Sequence, residues 1–193
     1  MGVNLDDYRE LLEDLGPHAG EVLRASWQEA ARAFSPRGLD AYLEGARSLH
    51  ALGRGAEPVA AFLHEAPAVA REAGEEAVSE LLRAALSLSS KTSGGVITLA
   101  LSAAPTAARR LADPELFRGW LGLVGQLVAQ APRGVRPMLE NLDRLLAVLT
   151  LGGLRRWALW GARAHATDFP AQERYFALAS PESLSILQKE RKG

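Results

Sequence analysis

The sequence contains no cysteine. That excludes a disulfide framework, a thiolate nucleophile and a Cys-ligated zinc site, and it is compatible with a reducing compartment. Isoleucine occurs only as Ile97 and Ile186, and no segment alternates apolar and polar residues between hairpin turns. Strands therefore have little to stand on. Charge of either sign is not in excess: 22 Lys+Arg face 23 Asp+Glu, a net charge of -1. No global field draws the chain to nucleic acid or an anionic membrane, and binding either would need a local patch. The uncharged apolar stretches 119–132 and 145–154 fall short of the ~18 residues a membrane-spanning helix needs and read as buried core helices.

The N-terminal segment carries Asp6, Asp7, Glu10, Glu13 and Asp14 where a signal peptide needs a positive region before its apolar stretch. The expected location is cytoplasmic. Asp6 also stands where a myristoylation motif needs Ser or Thr. At the other end, Ser180-Pro181 opens a helix that runs off the chain, as expected of a fragment of a longer protein.

What the chain does have is 48% hydrophobic and 23% charged residues, the balance of a folded globular domain, at a length suited to one. Alanine and leucine dominate, and helix signals recur. Leu5, Tyr8, Leu12 and Leu15 form one stripe, and Val22, Ala25, Ala30 and Ala33 around Trp27 form a second, with Gly16-Pro17 between them. Ser35-Pro36 ends the second helix and caps a third over 38–52.

From residue 38 the chain repeats itself. Residues 38–74 and 75–112 align: Leu43 with Leu81, Ala46 with Ala84, Val59 with Ile97, Leu63 with Leu101, Ala66-Pro67 with Ala104-Pro105. A third unit, 113–152, follows with a shift of one, so that Phe117 matches Val78, Leu121 matches Leu82 and Gly134-Val135 match Gly95-Val96. Each unit holds two helices with a polar or Gly-rich break, near 53–55, 90–95 and 131–134. A period of about 38 residues built of helix pairs marks an all-α helical-repeat array, a HEAT- or armadillo-like α-solenoid. The expectation is a single all-α domain over 1–193: N-terminal helices at 1–37, three helix-pair repeats at 38–152 and C-terminal helices at 153–193. At least ten helices should bury Leu43, Val59, Leu63, Leu81, Ile97, Leu101, Leu121 and Leu139 in one core. Gly119, Gly122 and Gly125 are expected to let a neighbouring helix approach closely.

No chemistry emerges from the motifs. Gly119 to Gly125 lacks the strand and spacing of a dinucleotide fingerprint, and Lys91-Thr92 has no Walker glycines before it. None of the four histidines, His18, His50, His64 and His165, stands in a metal-binding pattern such as HExxH, so no metal and no cofactor are expected. The serines of 86–93 lack a GxSxG elbow. The carboxylate pairs Asp6-Asp7 and Glu75-Glu76 lie at helix starts, where the macrodipole favours anions. The reading is a non-enzyme. The most loaded stretch is 154–178, in which Arg155, Arg156, Trp160, Arg163 and Arg174 form the candidate protein-contact site, since Trp, Tyr and Arg anchor interfaces. Arg156, Trp160 and Arg163 share one helical face while Trp157 turns inward. The alternative from another class is a nucleic-acid-binding helical-repeat domain, to which the doublets Arg109-Arg110 and Arg155-Arg156 would contribute.

Trp157, Trp160, Gly161, Ala162 and His165, then Asp168, Arg174, Tyr175, Phe176 and Leu178, then Ser180 to Ser183, Leu187, Glu190 and Arg191 to Gly193, form a pattern that resembles the N-terminal helical region of the NorD/CbbO family. Residues 38–152 resemble that family only in helical texture. The resemblance implies a long protein with a downstream von Willebrand factor A (VWA) domain, working with a MoxR-type AAA+ ATPase. Such a pair activates or remodels a client metalloenzyme, nitric oxide reductase in one branch and Rubisco in another. This chain would then be a non-catalytic adaptor. It lacks the DxSxS-type motif of the A domain, so no metal chemistry carries over.

Overall fold

A computed structural model describes residues 5–164 and 167–177, which form helices and short connections with no strand among them. After a 3-10 turn at Leu5–Tyr8 come α1 (Arg9–Asp14), α2 (Gly16–Ala33), α3 (Pro36–Ala51), α4 (Ala56–Ala73), α5 (Glu75–Ser89) and α6 (Gly94–Leu111). They are followed by α7 (Pro114–Gln130), α8 (Pro132–Glu140), α9 (Leu142–Leu146), α10 (Leu151–Ala164) and α11 (Phe169–Ala177). The breaks fall where the repeat places them. The helix expected at Ser180-Pro181 lies outside the described residues.

The helices stack in two layers. In one, α2 packs on α4, α4 on α6, and α6 on α8 and α9; in the other, α3 packs on α5, α5 on α7 and α7 on α10. Helix α1 packs on α2, and the N-terminal segment is tied to α3 by Tyr8 Oη, which donates to Asp40 Oδ1 at 3.1 Å, and by an Arg47–Asp14 pair at 3.6 Å. Each repeat contributes one helix to each layer, so a unit that cannot bury its apolar face alone buries it against its neighbours. Leu43, Val59, Leu63, Leu81, Ile97, Leu101, Leu121 and Leu139 are all buried in one contiguous core.

Local chemistry explains the helix ends. The Ser35 hydroxyl accepts from Gly38 N–H at 3.1 Å, and the Asp113 carboxylate accepts from Glu115 and Leu116 N–H at 2.7 and 3.1 Å, so both cap as their side chains allow. Gly74, at φ +88, closes α4 and opens α5 in a left-handed conformation that costs glycine nothing. The second helix of the third repeat is broken into α8 and α9. The break falls at Asn141, whose side-chain amide donates to the Pro137 carbonyl at 2.9 Å beside the helical bond from its own backbone N–H at 3.2 Å.

Two expectations are corrected. The buried face of α2 is Ala19, Leu23, Ser26, Trp27 and Ala30, whereas Ala25 is exposed and Val22 and Ala33 only half-buried. The alanine-rich face could not be phased by hydropathy alone, because alanine is tolerated on either side. Gly122 and Gly125 are not close-approach positions for a packed helix. A Cβ at Gly122 or Gly125 would meet nothing within 4 Å, and one at Gly119 only the Leu151 side chain at 3.2 Å. The close approaches are made elsewhere. At Gly45 a Cβ would lie 2.7 Å from Leu82 Cδ2, and at Gly134 it would lie 2.8 Å from the Ala158 carbonyl oxygen of α10.

Candidate protein-contact surface

The C-terminal helix pair is built around aromatic rings. The Thr150 hydroxyl accepts from Gly153 N–H at 3.2 Å and starts α10, whose inward residues Leu154, Trp157 and Ala158 are fully buried. Trp157 stacks on Tyr175 at 5.8 Å between centroids and meets the Phe176 ring edge-on at 5.2 Å. Gly161 makes room for this pair, since a Cβ there would collide with the Tyr175 and Phe176 rings. The Tyr175 hydroxyl donates to the Trp157 carbonyl at 3.1 Å, and the Asp168 carboxylate accepts from Ala171 N–H at 3.0 Å to cap α11. Buried Gln172 donates from Nε2 to the carbonyls of Gly161 and Ala162, at 3.2 and 3.3 Å. Both carbonyls lie in the last turn of α10. Ring area and satisfied backbone together fix the pair's geometry.

On the outward side, Arg155, Arg156 and Arg163 of α10 and Arg174 of α11 are exposed, and Trp160 is half-buried against Tyr175 at 5.0 Å between centroids. Arg156, Trp160 and Arg163 follow one another at i, i+4 and i+7 on α10; Arg174 stands beside Tyr175 on the next helix. Leu159, three residues after Arg156 and four before Arg163, is half-buried beside them. Sequence reasoning passed over two exposed apolar side chains, Val148 before α10 and Phe169 at the start of α11, which are 54% and 53% exposed. The Phe169 ring lies under the Arg133 guanidinium at 4.1 Å. Pro170 directly after Phe169 was the available signal, since a helix start leaves its first side chains at the surface.

Other places offer less. The Arg109-Arg110 doublet is engaged: Arg110 grips Asp143 through two hydrogen bonds of 2.8 and 2.9 Å, and Arg109 reaches it at 3.5 Å. These bonds, with the two positive charges, hold the Asp143 carboxyl below the usual carboxylate range. A cleft of about 570 Å³ between α3 and α5 has Phe34, Tyr42 and Phe62 at its floor and Arg37, Glu75, Glu76 and Ser79 near its rim. Burial pushes the Tyr42 phenol above its ordinary range, and its hydroxyl donates to the Leu63 carbonyl at 2.6 Å. His18 and His64 are exposed beside Glu57 and Glu65, at 3.7 and 3.2 Å. Among the described residues no group of three or more His, Asp or Glu could hold a metal ion, and no helix is long and apolar enough to cross a membrane. His165 lies outside the described residues, as do Leu178 and the Ser180 to Gly193 part of the resemblance.

No family model, curated protein or solved structure matches the chain. The functional reading therefore rests on this surface and on the resemblance at residues 157–193.

Proposed function

We propose that the chain is a non-catalytic adaptor domain of a VWA-containing activator, docking a MoxR-type AAA+ ATPase or its client metalloenzyme of the nitric oxide reductase or Rubisco type. The observation that carries the reading is the α10–α11 end, where Arg155, Arg156, Arg163 and Arg174 are exposed and half-buried Trp160 shares a helical face with Arg156 and Arg163. Arginine and tryptophan are the residues that dominate binding energy at protein interfaces. Stacked helix pairs offer extended surfaces for such docking. In this reading Trp157 holds the helix pair together and Trp160 meets the partner.

The test is capture of the cognate ATPase and of the client by the chain and by its Trp160→Ala variant. The expected result is capture by the parent and a loss of about 2 kcal/mol, roughly thirtyfold in affinity, in the variant. Equal binding by the parent and Trp160→Ala removes the site. Binding of duplex DNA with a steep salt dependence would favour a nucleic-acid-binding domain instead. The engagement of Arg109 and Arg110 by Asp143 speaks against that alternative, because it withdraws a doublet that would have to meet phosphates.

A further inference from the structure

Several exposed arginines, among them Arg24, Arg32 and Arg37, pair with no carboxylate among the described residues; α10 is set apart by carrying three arginines and no acidic residue. On α1, α3, α4, α5 and α7, arginines lie within 4 Å of carboxylates: Arg9 with Glu13, Arg47 with Glu44, Arg71 with Glu29, Arg83 with Glu80, Arg118 with Glu115. Helix α10 contains no acidic residue, and Arg155, Arg156, Arg163 and Arg174 pair with no carboxylate among the described residues. The imbalance belongs to that half of the chain. Residues 1–108 carry 15 acids against 9 bases, and residues 109–193 carry 8 acids against 13 bases.

Resting on the adaptor reading for the choice of surface, we infer that its occupant is an acidic amphipathic segment of the partner protein, with carboxylates bracketing an apolar side chain. Arg156 and Arg163 stand seven residues apart, ~10.5 Å along the axis, with Trp160 between them. Carboxylates two turns apart on a partner helix, with an apolar residue midway, match that spacing. Each carboxylate can take the planar guanidinium in two parallel hydrogen bonds, which a lysine surface would not offer. The apolar residue completes the burial of Trp160, which the chain leaves half-done. A phosphate backbone supplies the charges and not the apolar counterpart. Association with the acidic segment is steered by the arginines of α10, so it weakens as salt rises.

The experiment measures binding of the full chain to a synthetic helical peptide with Glu residues seven apart and Leu midway, and to its Gln counterpart. The expected result is binding of the Glu peptide, with the Gln peptide about tenfold weaker or worse. Arg156→Glu and Arg163→Glu should each weaken the Glu peptide by a similar factor with an unchanged thermal midpoint. Arg24→Glu, at an exposed position on α2, should leave binding as it is. The inference is overturned if the Gln peptide binds equally, or if the charge reversals have no effect. It is also overturned if short duplex DNA or phosphatidylserine vesicles bind this surface more tightly than the Glu peptide, or if sedimentation shows a second copy of the chain occupying it. Capture of the ATPase or client without Glu-peptide binding sinks this inference alone. Glu-peptide binding without capture of either protein sinks the adaptor identity and leaves the surface chemistry standing.

Discussion

Pro67 sits inside α4 and has no N–H to give the Leu63 carbonyl one turn earlier, so that buried acceptor needs another donor. The Tyr42 hydroxyl supplies it from α3 at 2.6 Å. Replacing Tyr42 by Phe keeps the ring stacked on Phe34 and leaves the carbonyl orphaned, so Tyr42→Phe should destabilise by about 1–3 kcal/mol. Pro67→Ala returns an N–H to the helix. In that background the same Tyr42→Phe change should cost less, and a double-mutant cycle by urea denaturation reads the difference; equal costs in both backgrounds would mean that the bond is incidental. The glycines give a second contrast. Gly134→Ala would push a Cβ to 2.8 Å from the Ala158 carbonyl oxygen and should destabilise by roughly 1–3 kcal/mol, whereas Gly122→Ala meets nothing within 4 Å and should gain up to about 1 kcal/mol of helix propensity. Denaturation of the two variants decides it, and a shared sign would refute the geometry. The sequence announced glycines on α7 and could not say which side they faced. A glycine carries no hydropathy to place it, so close approach at Gly45 and Gly134 was visible only once their neighbours were.

At the scale of elements, helix ends were legible where the capping side chain is local and hidden where it comes from another repeat. Ser35 before Pro36 read correctly as a cap. Glu75, read only as a favourable charge at the start of α5, reaches across to α3, accepting from Ser35 N–H at 2.6 Å and from its hydroxyl at 3.0 Å. No spacing rule connects residues so far apart. The same holds for Gln172 on the end of α10 and for Asp143, which ties α9 to the end of α6 through Arg109 and Arg110. Asp143 predicts a pH dependence. Its carboxyl is depressed chiefly by the hydrogen bonds from Arg110, so the tether contributes fully above the ordinary carboxylate value of about 4 and is lost as pH falls through the lower folded value. Thermal midpoints of the parent and Asp143→Asn should differ at neutral pH and converge in acid. The gap should be small, because the pair is exposed to solvent. A gap that persists in acid would mean that the ion pair is not its cause.

At the scale of the whole molecule, the repeat was the most legible feature, because the stacking of like units imposes the same apolar positions on each unit. What the repeat could not convey is how stability is distributed along the array. Helix α4 is flanked by α2 and α6 in its own layer and by α3 and α5 in the other, and α6 is similarly enclosed by α4, α5, α7 and α8. At the ends, α1 leans mainly on α2, and α11 leans on α10 and α8. In an array held by nearest-neighbour interfaces, opening free energy should follow that enclosure. Amide hydrogen exchange should therefore be slowest in α4 and α6 and fastest in α1 and α11. Substitutions sharpen the prediction, since the fully buried Leu63 lies at the centre of the stack and Trp157 at its C-terminal end. Leu63→Ala should lower protection in every helix, with a loss of about 2–5 kcal/mol. Trp157→Ala should release α10 and α11 first and leave α4 and α6 near their parental protection. Uniform loss of protection in Trp157→Ala would instead show one cooperative unit, in which the α10–α11 surface cannot loosen or bind without engaging the whole fold.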